Sequence, residues 1–195
     1  MSDEIFQNRY RVPSIRAEWH NYDGGIYFIT ICTLNREHFF GEIRKVEVSP
    51  CYGKCSSYCF EPKMFLTELG KYTDAQFRDI HDHYPYAEIP LWVVMPNHIH
   101  AIIIIHNEEI PYDRRNTAKN TKENHRDIAN MQGWLSVVVG GLKRAVSHYA
   151  KEHSIPFAWQ SRFYDRIIHN SKDLNNVAHY IENNVVKWGN NCSHK

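Results

Sequence analysis

The chain has 195 residues, 23 Lys and Arg against 22 Asp and Glu, and a formal net charge of +1. That length suits one domain with a real hydrophobic core, and the near-neutral balance does not by itself advertise a nucleic-acid partner. No apolar run reaches the ~18 residues of a membrane span and the N-terminus carries no apolar leader, so the expectation is a cytoplasmic protein with no membrane partner.

Residues 1–20 are polar and contain Arg9, Arg11 and Arg16, which reads as an N-terminal arm. A single domain is then expected over 21–190, with insertions near 45–60 and 107–132 and a short tail at 191–195. After Gly24-Gly25, the run Ile26 to Leu34 is rich in β-branched and aromatic residues and predicts a strand. Residues 41–66 hold turn formers and a cysteine-containing insertion, expected as a hairpin or an irregular loop. Five cysteines (Cys32, Cys51, Cys55, Cys59 and Cys192) make an odd count, which fits reduced thiols. The Cys51, Cys55, Cys59 spacing is not the paired Cys-x-x-Cys of a zinc site, and a fourth ligand is not evident.

Thr67 is placed to cap a helix with apolar positions Leu69, Tyr72, Phe77, Ile80 and Tyr84, ended by Pro85. Glu88 to Val94 reads as a second strand, Met95-Pro96-Asn97 as a turn, and His98 to His106 as a third strand. Residues 107–132 are dominated by Asn, Lys, Glu, Arg and Asp and read as a loop insert. Gly133 to His153 predicts an amphipathic helix, starting either at Gly133 or after the Gly140-Gly141 pair. Phe157 to Tyr164 is expected as a fourth strand, and Ser171 as the cap of a last helix running to about Trp188. Strand, helix, strand, strand, helix, strand is the order of an α+β, ferredoxin-like fold: an antiparallel sheet with helices packed on it.

The chemistry concentrates in two of these elements. His98 and His100 flank Ile99, and alternate residues of a strand share a face, so both imidazoles point the same way. Such a pair is half of a metal site or a satisfied pair of core histidines. His81 and His83 repeat the pattern, but on a predicted helix they diverge. The last helix has an apolar stripe of Leu174, Val177, Ala178, Ile181, Val185 and Trp188. Tyr180 and Asn184, one turn apart, lie on its flank, while Asn183 faces solvent. His98, His100 and the Asn184 side-chain oxygen give three neutral donors suited to a divalent cation, and Tyr180 beside them is a candidate nucleophile toward phosphorus.

The segment Met95-Pro96-Asn97-His98-Ile99-His100 resembles the His-hydrophobic-His signature of the single-tyrosine transposases of the HUH class. Tyr180-Ile181-Glu182-Asn183-Asn184 resembles their nucleophile helix. Trp159 to Ile168 and Leu142 to Val146 are similar to the last strand and second helix of the REP-associated branch. The resemblance runs over roughly residues 24–189; one departure is Val185, where that branch usually has proline after the asparagine.

The resemblance implies an HUH-nuclease-type fold. It implies that His98, His100 and Asn184 bind Mg or Mn, and that Tyr180 attacks hairpin-bearing single-stranded DNA to form a 5′-phosphotyrosine link. The partner is then single-stranded DNA, with a homodimer that exchanges its tyrosine helices left open.

No phosphate-binding loop is present, in keeping with a transesterification that needs no ATP. Arg144, Arg162, Arg166 and Lys187 are the candidate phosphate contacts, within a segment (140–187) that carries seven Lys/Arg and four Asp/Glu. Trp159 and Tyr164 are either stacking surfaces or core. Two rival readings remain at this point. One is a catalytically silent, transposase-derived DNA-binding or repressor protein. The other is a histidine-motif nucleotide hydrolase, which would want a third histidine where Ile102 stands.

Overall fold

A computed structural model of the protein describes residues 5–6, 10–11, 24–48, 59–109 and 133–191. Two short strands, β1 (Ile5–Phe6) and β2 (Tyr10–Arg11), pair with each other. The frame is a four-stranded antiparallel sheet of β3 (Gly25–Cys32), β6 (Ala87–Met95), β7 (His98–Ile105) and β8 (Tyr164–Ile167), in the order β6-β7-β3-β8. Counted along the chain, those four strands stand in the order 2-3-1-4, the ferredoxin-like arrangement expected from the element order. A separate hairpin of β4 (Gly41–Val48) and β5 (Cys59–Leu66) precedes the first helices. The rest of the arm, residues 49–58 of the first insertion with Cys51 and Cys55, residues 110–132 of the second, and residues 192–195 with Cys192 lie outside the described residues.

Helices α1 (Glu68–Arg78) and α3 (Gly133–Glu152) pack on one face of the sheet. There Ile29, Ile31, Val94, Ile99, Ala101 and Ile103 meet Leu69 and Phe77 from α1 and Leu135, Val138, Leu142 and Val146 from α3. The other face is covered by α4 (Ser171–Glu182), whose Leu174, Val177, Ala178 and Ile181 pack on Ile26, Ile102 and Ile168. With both faces covered, β7 is an almost continuous apolar run, as a central strand must be. Thr67 caps α1 as expected, its hydroxyl accepting from the Gly70 amide at 3.1 Å.

Several boundaries differ from the sequence expectation. The helix after Thr67 breaks at Asp79, and a separate turn of helix, α2 (Ile80–His83), carries His81 and His83. α3 starts at Gly133, ahead of its glycine pair. Gly141 sits there because a Cβ would come within 1.9 Å of the Tyr84 hydroxyl, so close packing outweighs the helix cost of glycine.

The fourth strand is Tyr164–Ile167, not Phe157 to Tyr164. Trp159 bridges Thr33 and Tyr164 pairs with Thr30, so five steps on one side oppose three on the other. The chain bulges through Ser161 and Arg162, and only the part beyond the bulge forms a ladder. Trp159 is tied down by its indole N–H, which donates to the Lys143 carbonyl at 3.0 Å.

Asn170, not Ser171, caps the last helix, accepting from the Asp173 amide at 2.9 Å. That helix does not run unbroken to Trp188. It stops at Asn183 (φ −91°, ψ 4°), whose amide and side chain both turn back to the His179 carbonyl, and α5 (Asn184–Asn191) starts afresh. Gly189 lets α5 lie against the β4–β5 hairpin: a Cβ there would be 2.4 Å from Pro62.

Candidate active site

Strand β7 delivers His98 and His100 to the α4 face, while Ile99 between them enters the α1–α3 core. Their register neighbours on that face are Cys32 and Thr30 on β3, and Met95 and Val93 on β6. The two rings lie 4.6 Å apart at 73°. Both side chains are buried, at 5% and 6% exposure.

Each imidazole is oriented by a neighbour through Nδ1. The Asn97 carboxamide donates from Nδ2 to the Arg36 carbonyl at 3.0 Å, which turns its Oδ1 toward His98 Nδ1 at 2.7 Å. An acceptor there puts the proton on Nδ1 and leaves His98 Nε2 with a bare lone pair. His100 Nδ1 is 2.9 Å from the Thr30 hydroxyl, and its Nε2 is 3.2 Å from the Tyr180 hydroxyl. The consistent assignment has Tyr180 donating to Nε2 and Nδ1–H donating to Thr30.

The turn before the histidines is held as firmly. The Asn97 carbonyl accepts from both the amide and the hydroxyl of Thr33 at 3.0 Å, and the Pro96 carbonyl from the Phe40 amide at 3.1 Å.

Burial keeps both rings neutral. Desolvation, aided by the Arg36 charge, lowers His98 to about 4. His100 falls to about 3, chiefly by desolvation, then by His98 and Arg36, against a hydrogen bond to the Ile29 backbone. Neutral imidazoles whose Nδ1 atoms are hydrogen-bonded, leaving Nε2 as the acceptor nitrogen, are in the state that can ligate a metal.

Tyr180 projects from α4 and is 40% exposed, its ring perpendicular to Phe28 at 6.0 Å and 5.0 Å from the His100 ring. Tyrosine and histidine come from the same chain. Asn184, the first residue of α5, is buried at 7% exposure. Trp188, one turn on and therefore on the same helix face, lies 5.5 Å from the His98 ring, so this face of α5 is turned toward the histidines.

Among the described residues, no cluster of three or more His, Cys, Asp or Glu side chains could hold a metal ion. The donor set on offer is two imidazoles and one carboxamide, a neutral set suited to a divalent cation that keeps water or phosphate oxygens.

The proposed phosphate contacts divide. Lys187 Nζ sits 5.6 Å above the Tyr180 ring. Arg166 is exposed on β8 and pairs with Asp173 at 2.9 Å, and Arg162 is exposed in the bulge. Arg144 does not join them. It lies on α3, across the sheet, lining a cleft of about 860 Å³ with Tyr72, His83 and Tyr84. His106, beyond the strand end, faces Glu88 at 3.6 Å.

Sequence reasoning missed Thr30, Asn97, Phe28 and Trp188. Asn97 adjoins the first histidine and was visible as a hydrogen-bonding neighbour. Thr30 is seventy positions from its partner, and only the strand register brings it there.

The geometry is that of a ferredoxin-like sheet presenting two histidines to a tyrosine-bearing helix, and comparison with known proteins gives this class a family. No family model matches the chain. It is 31% identical over 182 residues to an uncharacterized protein of Haemophilus influenzae, covering 90% of this chain and 88% of the relative, and the two belong to one family. A second Haemophilus influenzae protein, named "Putative REP-associated tyrosine transposase", is 22% identical over 85% of this chain and 73% of its own length. The solved REP-associated tyrosine transposase bound to a REP hairpin superposes with a TM-score of 0.52 at 20% identity, over 89% of this chain and 75% of that one. The chain thus has the fold of the REP-associated tyrosine transposases and is transposase-like in sequence.

Proposed function

We propose that this protein is a metal-dependent single-strand DNA transesterase of the HUH type, with Tyr180 as nucleophile. The observation that carries the reading is the 3.2 Å contact between the Tyr180 hydroxyl and His100 Nε2 within one chain. A site closed in this way needs no second copy to supply the tyrosine. The solved relative in complex with a REP hairpin supports hairpin-bearing DNA as the substrate class.

In the proposed step, Tyr180 Oη bonds to phosphorus and the P–O3′ bond breaks. The phenol proton leaves to solvent and the departing 3′ oxygen takes one up, so charge and protons balance. The products are a 5′-phosphotyrosine and a free 3′-hydroxyl, and reversal by another 3′-hydroxyl rejoins strands. Bound Mg or Mn would be held by His98, His100 and the Asn184 side-chain oxygen and would polarise the scissile phosphate. The His100 Nε2 lone pair serves one partner at a time, so cation binding competes with the Tyr180 hydrogen bond. Lys187, over the Tyr180 ring, is the cation that would attract the approaching phosphate. Arg162 and Arg166 are placed to meet flanking phosphates.

The test is denaturing-gel detection of a protein–DNA adduct on labelled hairpin oligonucleotides drawn from the flanks of the gene, with Mn or Mg. The parent protein is expected to form it, and Tyr180→Phe to bind the DNA without forming it. Binding by the parent with no adduct under either metal would favour the silent DNA-binding reading.

A further inference from the structure

Tyr164 meets Phe28 edge-on but lies outside both apolar core clusters. It is 58% exposed on β8, an edge strand whose other residues are Asp165, Arg166 and Ile167. Trp159, the other aromatic of this segment considered for stacking, is half-buried, and its N–H is bonded to the Lys143 carbonyl. Edge strands usually carry charge rather than bare rings, because an exposed apolar edge invites unwanted pairing.

The register explains where the Tyr164 ring points. Tyr164 pairs with Thr30, the residue that orients His100, so it shares the histidine face. Its ring is 6.5 Å from Phe28. Phe28 in turn stacks on His100 at 5.4 Å and meets Tyr180 edge-on at 6.0 Å. Two exposed tyrosines among the described residues therefore flank one half-buried phenylalanine, with the histidines beneath. Arg166, two residues along β8, and Arg162, in the bulge, are both exposed beside the Tyr164 end of this row.

We propose that Tyr164 is the stacking platform for an unpaired nucleobase of the DNA strand whose phosphate is presented to Tyr180. A base offers a π-face and its backbone an anion, and this edge offers an open ring with two exposed arginines close by along the chain, Arg162 and the Asp173-paired Arg166. The inference rests on Tyr180 as the nucleophile and adds a binding position one ring away from it. Phe28, in contact with both tyrosine rings, sets their spacing.

The test uses a hairpin oligonucleotide with 2-aminopurine at successive positions of its single-stranded flank. Parent protein, Tyr164→Phe and Tyr164→Ala are compared for fluorescence quenching, Kd and adduct formation. The parent and Tyr164→Phe are expected to quench one position near the cleavage site. Tyr164→Ala is expected to lose that quenching and to bind about tenfold more weakly. Its adduct rate at saturating DNA should change far less than the concentration needed for half-saturation. Equal quenching and equal Kd for Tyr164→Ala and the parent would overturn the proposal while leaving adduct chemistry intact. Quenching by the parent without any adduct would overturn the nucleophile assignment instead, and no binding by the parent would overturn both.

Discussion

On the face of the sheet covered by α1 and α3, β7 contributes Ile99, Ala101, Ile103 and Ile105, all buried among apolar side chains. On the opposite face the same strand begins with His98 and His100 before Ile102 resumes the apolar pattern under α4. One strand therefore serves two masters through its twofold alternation. The first face is broad, mixes aliphatic and aromatic side chains, and accounts for most of the core. The second has a small apolar cluster that anchors α4, and beyond it a polar, hydrogen-bonded strip formed by Thr30, Asn97, the histidines and Tyr180. Most of the apolar burial lies on one side of the sheet and the proposed chemistry on the other. Substitutions of adjacent residues should therefore fail in different ways.

The largest loss of stability is expected for Ile99→Ala. It opens a cavity in the α1–α3 core and should cost about 3 kcal/mol in denaturant unfolding, while folded protein retains cation binding. A loss below about 1 kcal/mol would mean the two faces are not separated in this way.

Acid should act on the histidine face. In the metal-free protein His98 and His100 titrate near 4 and 3 against an ordinary 6.5, so the unfolded chain takes up protons first as pH falls. Their neutrality thus favours the fold fully above pH 6.5, and that contribution is lost between pH 6.5 and about 3. Melting curves should show the parent losing stability relative to a His98→Gln/His100→Gln variant, on the order of 2 kcal/mol already by about pH 5.8 and more below it. Parallel curves would mean the rings are not buried neutral.

At neutral pH, His100→Gln should cost only about 1–2 kcal/mol, since it removes hydrogen bonds and the ring contacts to Phe28 and Tyr180 but no aliphatic core side chain, yet abolish Mn-dependent adduct formation. The smallest effect is expected from Tyr180→Phe, which leaves the fold intact. By freeing His100 Nε2 of its competitor it should bind Mn a few-fold more tightly in calorimetric titration, and weaker binding would place the hydroxyl among the ligands.

Much of this arrangement could be read from local pattern. The strand alternation that put both imidazoles on one face, the Pro-Asn turn and the apolar stripe of α4 are short-range signals, and they appear where expected. What escaped depends on distant partners. The bulge at Ser161–Arg162 follows from Trp159 docking on α3 and Tyr164 pairing with β3. The break at Asn183 looks in sequence like uninterrupted helix, because the carboxamide that turns back on His179 is an ordinary exposed residue until the fold gives it a direction. Arg144 was grouped with the other arginines by charge alone. Which face of the sheet a helix covers is not written in that helix, and α3 carries Arg144 to the side away from Tyr180.

The central assignment is best tested by mass spectrometry of the protein–DNA adduct after nuclease and protease digestion. The account predicts one modified peptide, spanning 173–187, with the residual nucleotide linked to Tyr180. A nucleotide found on another tyrosine, or an adduct still formed by Tyr180→Phe, would contradict it.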